Sequence, residues 1–321
     1  MKALPKITAG VLIAAIQLTA CTKTDVDPDT TNGMSPSSYF AQNQTSAKQI
    51  FSINPAQYNQ ITGNQGTEVV IYAGSFVDAQ SNPITGNVDF ELIEIFSRGD
   101  MFKMNRATMA NHWSGDKRLL VSGGEYYINA TQNGQQVFLA QDVRVRVPYA
   151  NGGGFNEQMR NFEGQVQADG DIVWNMAGDS VIPVDSLNND SIFLGAGYDI
   201  LEGEWGWTNV DRWYNDPREK TTIYVDAPEG LNLSNCEVFL TYDGEPLALA
   251  QLDTWENDMF SEHYGLIPIG LECHVILVTE IDGVLNYAIQ GFTVTENHIE
   301  VISSLQPTTQ SELAALINAL P

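Results

Sequence analysis

Asp282-Gly283 stands between two apolar runs, residues 275–281 and 284–289. A two-residue turn of this type closes a tight antiparallel hairpin, because both of its positions tolerate positive φ. No other feature limits the possible folds as strongly, and weaker versions recur along the chain. Asn133-Gly134 separates residues 126–130 from 136–139, and Asp243-Gly244 turns the chain into 247–252. Val143, Val145 and Val147 alternate with Asp142, Arg144 and Arg146 until Pro148 ends the strand. One face of that strand is then apolar, while the arginines pair with surface carboxylates. Val88, Phe90 and Leu92 alternate in the same way, but the apolar register then moves to Ile93 and Ile95. That shift predicts a β-bulge at Leu92-Ile93. Ser122-Gly123-Gly124 reads as a turn. Short strands at this spacing, with no long helical period, predict an all-β protein of two β-sandwich domains.

The C-terminus departs from this pattern. Thr309-Gln310-Ser311-Glu312 is a capping box, and Leu313, Leu316, Ile317 and Leu320 fall on one helical face. A short amphipathic helix over 309–320 is expected. Such a helix is marginal alone, so its apolar face must dock.

Composition shifts divide the chain. Residues 21–48 carry no apolar period and read as a polar tether, and 49–148 form the first sandwich. Asn151-Gly152-Gly153-Gly154 marks 149–171 as a connection, within which Phe155, Met159 and Phe162 suit a short helix. Residues 172–321 form the second sandwich with the terminal helix. Residues 101–118 read as a short helix or a long loop across one end of the first sandwich. His112 and Trp113 lie there, either as a packed loop anchor or as a ligand contact. The stretch Phe76-Val77-Asp78…Pro83-Ile84-Thr85-Gly86-Asn87-Val88 resembles the strand-turn-strand opening of carboxypeptidase-regulatory-like and related immunoglobulin-like bacterial modules. The resemblance spans one hairpin. It implies an immunoglobulin-like sandwich and no activity.

Lys2 and Lys6 precede a short apolar run, residues 7–16, which small residues and Cys21 follow. This is the layout of a secretory leader covering residues 1–20, and the run is too short to span a bilayer. Leu18-Thr19-Ala20-Cys21 resembles the lipobox of bacterial lipoproteins. That resemblance implies cleavage before Cys21, acylation of its thiol and amine, and attachment to a membrane through the acyl chains. Thr22 follows the cysteine where an Asp would signal retention in the enterobacterial scheme. Asp25, Asp27 and Asp29 are similar to the surface-export signal of Bacteroidota-type lipoproteins. The implied location is the cell envelope: an outer-membrane lipoprotein that faces the periplasm or the exterior. The same aspartates alternate as in a calcium loop, but Thr30 replaces its glycine and Pro36 its closing glutamate.

With 15 basic and 40 acidic residues, the net charge is −25. That field repels phosphate backbones, so nucleic acid is excluded as a partner. Beyond Cys21, only Cys236 and Cys273 remain. In an oxidising compartment they form either a disulfide or two buried thiols.

No nucleophile elbow, P-loop, dinucleotide fingerprint or metal-binding histidine pair stands in its required context. His112, His263, His274 and His298 are dispersed. No catalytic residue, metal site or cofactor is therefore assigned. The densest aromatic stretch runs from Gly203 to Asp216 and holds three of the six tryptophans. Trp205, Trp207, Trp213 and Tyr214, with Asp211 and Arg212, would suit a sugar: ring faces stack while polar edges hydrogen-bond. The competing expectation is that Trp205 and Trp207 fill a core, Trp213 pins a loop and Asp211-Arg212 is a structural ion pair. The chain thus reads first as a lipid-anchored, non-enzymatic envelope protein with a structural or binding role. A glycan-binding module comes second, an envelope hydrolase using carboxylates third. A glycan or another envelope protein is the expected partner.

Overall fold

The structure is a computed structural model that describes residues 35–178, 182–184, 196–262 and 264–321. The leader, Leu18-Thr19-Ala20-Cys21, Asp25, Asp27, Asp29 and His263 lie outside the described residues.

Among the described residues, four principal sheets build the molecule, with three short helices. Sheet I orders strands Ile182–Val184, Gly197–Glu202, Val143–Pro148, Glu68–Ile71 and Asn59–Thr62. Sheet II orders Gln49–Ile53, Val88–Ile95, Lys117–Gln132, Gly206–Trp213, Arg160–Val166, Ile172–Gly178 and Met109–Asn111, with Gln135–Gln136 added beside Lys117–Gln132. Sheet III orders Ala250–Gln251, Cys236–Tyr242, Glu272–Ile281, Val284–Thr293 and Gln306–Thr308. Sheet IV orders Thr254–Glu256, Met259–Ser261, Ile223–Asp226 and His298–Val301. The Asp282-Gly283 hairpin forms as expected, pairing Ile281 with Val284 through Glu272 with Thr293.

Three apolar cores separate these sheets. Val69, Phe90, Ile128, Val145 and Tyr198 belong to the core between sheets I and II. Val225, Phe260, Val238 and Leu277 belong to the core between sheets III and IV. A middle core joins sheets II and III through Ile93, Trp174, Trp207, Phe239 and Ile276. The molecule is thus two β-sandwiches stacked back to back, and the central strands of sheets II and III are buried on both faces.

This double burial explains why Leu92-Ile93 does not bulge. The pairing of Val88–Ile95 with Lys117–Gln132 runs unbroken from Asp89↔Thr131 to Ile95↔Glu125. Phe90 and Leu92 fill the first core, and Ile93 and Ile95 fill the middle one. A strand covered on both sides loses its apolar-polar alternation without any change of register.

The bulge falls instead at Gly123-Gly124, inside the 16-residue strand Lys117–Gln132 rather than at a turn. There Asn209 pairs with Glu125 but Asp211 pairs with Ser122. Gly124 takes φ +139°, and a Cβ on it would lie 2.3 Å from a Phe96 ring carbon. Only glycine fits both demands. Before the bulge, Leu119 and Val121 reach the core of the second sandwich; after it, Tyr126 and Ile128 enter that of the first.

The segment 149–171 is not a connection between sandwiches. Arg160–Val166 pairs with Gly206–Trp213 on one side and Ile172–Gly178 on the other. Met159 and Phe162 are buried. Sheets I and II therefore recruit strands as far as Trp213, well past Pro148. The glycine run had suggested a linker, but pairing across the sheet outweighs local turn chemistry. The polar tether also ends early. Ser37–Ala47 is a helix whose Phe40 inserts into the middle core, edge-on to Phe102 at 6.0 Å. Phe76–Val77 pairs with Phe138–Leu139 and not with the strand that begins at Val88. Pro83, bridged to Val77, has no N–H with which to extend a ladder.

Helix Arg98–Met104 is capped by Ser97, whose Oγ accepts the Asp100 N–H, and it ends at Asn105 in the left-handed region. Within residues 101–118, the helical turn is followed by strand Met109–Asn111 and not by a long loop. The terminal helix Gln310–Asn318 carries the expected capping box at Thr309 and Glu312. Leu313 and Ile317 are buried in the middle core, whereas Leu316 is exposed. Gly99 lets the two helices touch: a Cβ there would lie 2.6 Å from the Ala314 carbonyl oxygen.

Candidate functional site

The tryptophans of the aromatic stretch 203–216 line no cleft; only its last residues, Tyr214, Asn215 and Asp216, reach one. Strand Gly206–Trp213 lies inside sheet II, so its side chains alternate between two cores. Trp205 packs on the first core and donates its indole N–H to the Val137 carbonyl at 2.7 Å. Trp207 is buried in the middle core, with the Arg106 guanidinium 4.6 Å from its ring centre. Trp213 packs against that same core, and Tyr214 against the core of the second sandwich. Asp211 is fully buried and accepts the Asn209 amide at 2.6 Å. Burial raises its carboxyl well above the usual range, although the Ser122 and Gly123 hydrogen bonds oppose this. Arg212 forms its ion pair with Glu245 at 2.9 Å. The sugar site considered for Trp205, Trp207, Asp211, Arg212, Trp213 and Tyr214 is thus split up: the tryptophans pack on cores, as the competing expectation had it for Trp205 and Trp207, and only Tyr214 also lines a cleft.

Cys236 and Cys273 are both buried and free. They sit at opposite ends of one strand pair, Cys236 opposite Thr279 and Cys273 opposite Tyr242. Six residues of strand, about 20 Å, separate them, and a disulfide needs Cα atoms within about 7 Å. Burial pushes the Cys273 thiol up, helped by Asp243. His274 faces away from that thiol and meets Asp243 at 2.9 Å, and His298 meets Glu300 at 2.8 Å. Among the described residues, no three His, Cys, Asp or Glu side chains converge for a metal ion.

What the fold does build is a two-lobed cleft where the sandwiches meet. The larger lobe, about 580 Å³, is polar and lies between Gln165, Gln167, Asp169 and Asp171 on one side and Glu237, Gln251 and Asp253 on the other. The smaller lobe, about 290 Å³, has a more apolar floor that includes Leu119, Tyr214, Tyr242, Ala250 and Ile267. Met109, Lys117, Gln251 and Leu252 line both lobes. Two sheets position these residues: Met109 and Lys117 come from the hairpin in sheet II, Gln251 from the edge of sheet III.

A connected polar network lines the larger lobe. Gln251 donates to Asp171 at 3.0 Å and to Glu237 at 3.2 Å. Asn105 donates to the other Asp171 oxygen at 2.6 Å, and Ser35 to Glu237 at 3.3 Å. Burial, with the nearby Asp171 charge, pushes the Glu237 carboxyl up to about 8. Burial also raises Asp171, against the hydrogen bonds from Asn105 and Gln251. Lys117 pairs with Asp253, and that contact keeps it charged despite burial. At the smaller lobe, burial lifts Glu262 to about 7, although it accepts N–H groups from Tyr264 and Gly265 at 3.1 and 3.0 Å. Burial and the Asp216 carboxylate push the Tyr214 phenol up to about 12.

Of the cleft's titrating groups, sequence patterning singled out Tyr214 and none of the carboxylates. One signal was present: Glu237 interrupts Cys236–Tyr242, a strand otherwise free of charge. A carboxylate inside a run buried on both faces needs a polar recess, and the cleft supplies it. No family model matches the chain, and no characterised protein is significantly similar to it.

Proposed function

We propose that this chain is a lipid-anchored envelope protein that works by binding, and that the two-lobed cleft seats its ligand. The observation that carries the reading is the junction at Lys117 and Gln251, which joins a lobe of mixed apolar and polar lining to a more polar one. A concave site with an apolar floor and a few converging polar groups suits a small molecule with an apolar body and a hydroxyl- or amine-bearing end. Acyl chains on Cys21 would hold the protein at the outer membrane, where such a ligand is met in the periplasm or outside the cell. The cleft's carboxyls of raised pKa are fixed in its wall: Glu237 accepts from Gln251 and Ser35, and Glu262 accepts from backbone N–H groups.

The test is ligand-observed NMR with a library of small cyclic amines and polyols. Support would be hits that compete with one another and weaken both in Lys117→Ala and in Leu266→Trp, which fills the smaller lobe from its wall. Hits that persist unchanged in both variants would reject the cleft as their seat. Intact-mass spectrometry of protein extracted from membranes tests the anchor: a chain beginning at an acylated Cys21 is expected, and one retaining residues 1–20 would exclude it.

A further inference from the structure

Trp113 offers a fixed aromatic face to solvent. At 79% exposed it is the most exposed large apolar side chain among the described residues. It stands on the tight turn between Met109–Asn111 and Lys117–Gln132, which the Gly115 N–H closes on the His112 carbonyl at 2.9 Å. The His112 ring lies against one side of the indole, centroids 3.6 Å apart and planes 35° apart. Trp213 meets Trp113 and His112 edge-on at 6.0 and 5.1 Å, and itself packs edge-on to the buried Phe162 at 5.4 Å. A chain of ring contacts therefore roots the indole in the middle core. Polar groups share its turn: Ser114 donates to Asp116 at 2.9 Å, and Arg118 donates to Ser114 at 3.3 Å.

We infer that Trp113 is a stacking platform for one ring of a neutral saccharide. An indole face suits the C–H face of a pyranose, and Ser114, Asp116 and Arg118 supply both donors and acceptors for hydroxyls. One indole covers about 200 Å², whereas a stable protein interface takes about 800 Å² from each partner. The surrounding turn is polar and adds no apolar area. The net charge of −25 disfavours anionic polysaccharides and anionic lipid surfaces. Because ring contacts already fix the indole, little side-chain entropy is lost when a sugar stacks. Trp113 lines neither lobe of the cleft, and of the polar groups beside it only Arg118 also borders the smaller lobe.

The experiment titrates cellohexaose, maltohexaose, xylohexaose and chitohexaose into the full chain while the tryptophan indole N–H resonances are recorded. At least one sugar should shift the Trp113 resonance. Its affinity should fall about tenfold, the factor that 1.4 kcal/mol represents, in Trp113→Ala. Trp113→Phe should fall between the two. Trp255→Ala, which alters a less exposed indole, should bind as the native protein does, and all variants should keep the native thermal midpoint. The inference is overturned if none of the four sugars moves the Trp113 resonance at millimolar concentration, or if Trp113→Ala binds unchanged. It is equally overturned if phosphatidylcholine vesicles move that resonance and no sugar does, which would make Trp113 a membrane contact.

Discussion

Replacing Glu237 with glutamine should change how stability depends on pH. In the folded protein, burial and Asp171 lift this carboxyl to about 8, so it stays protonated well above its ordinary range. In the unfolded chain it ionises near 4.5. As pH rises from about 4.5, the unfolded state therefore loses a proton that the folded state retains. The native protein is penalised progressively until about pH 8, where the folded carboxyl ionises too. The full shift corresponds to at most roughly 5 kcal/mol. The carboxyl borders an open cleft, and water reduces the penalty to about 2 kcal/mol. Glutamine fills the same volume and does not titrate. Urea unfolding at constant ionic strength should show Glu237→Gln gaining about 2 kcal/mol on the native chain between pH 5 and pH 8. Carboxylates that do not interact with Glu237 contribute alike to both proteins and cancel. A difference that stays flat across that range, or one that favours the native chain as pH rises, would refute the reasoning.

Phe239→Ala removes a ring that lies between sheets II and III, edge-on to Phe102 at 5.9 Å. It should cost about 3–5 kcal/mol in urea unfolding, and a cost near zero would contradict the middle core. Gly124→Ala meets both a φ of +139° and Phe96, so a loss of at least about 2 kcal/mol is expected. Cys236 and Cys273 should both take up a thiol reagent once the chain is unfolded without reductant, and neither should do so quickly when it is folded. A 236–273 disulfide in non-reducing mass spectrometry would contradict the strand register.

Much of the architecture could be read from local pattern. The hairpin at Asp282-Gly283 and the capping box at Thr309 depend on contacts within a few residues, and both formed as expected. The stacking of the two sandwiches left only an indirect trace. At Leu92-Ile93, burial on a second face looks in sequence like a register slip. At Gly123-Gly124 a true bulge looks like a turn. The aromatic stretch from Trp205 to Tyr214 allowed two readings for the same reason, since a strand inside a doubly covered sheet is as rich in rings as a binding surface; Trp205 and Trp207 proved to pack on cores. The cleft was hidden because Lys117, Asp171, Glu237 and Gln251 are brought together only when the sandwiches meet. Trp113 was noticed in sequence as either anchor or ligand contact. His112 proved to be the anchor, 9% exposed, and Trp113 the projecting ring.

The most direct test of the cleft as the working site is a crystallographic soak with the small cyclic amines and polyols that bind in solution. Density is expected against Met109, Lys117, Gln251 and Leu252, with the ring in the smaller lobe and the polar end toward Glu237. Fragments scattered over the outer faces of sheets I and IV, with both lobes empty, would contradict it.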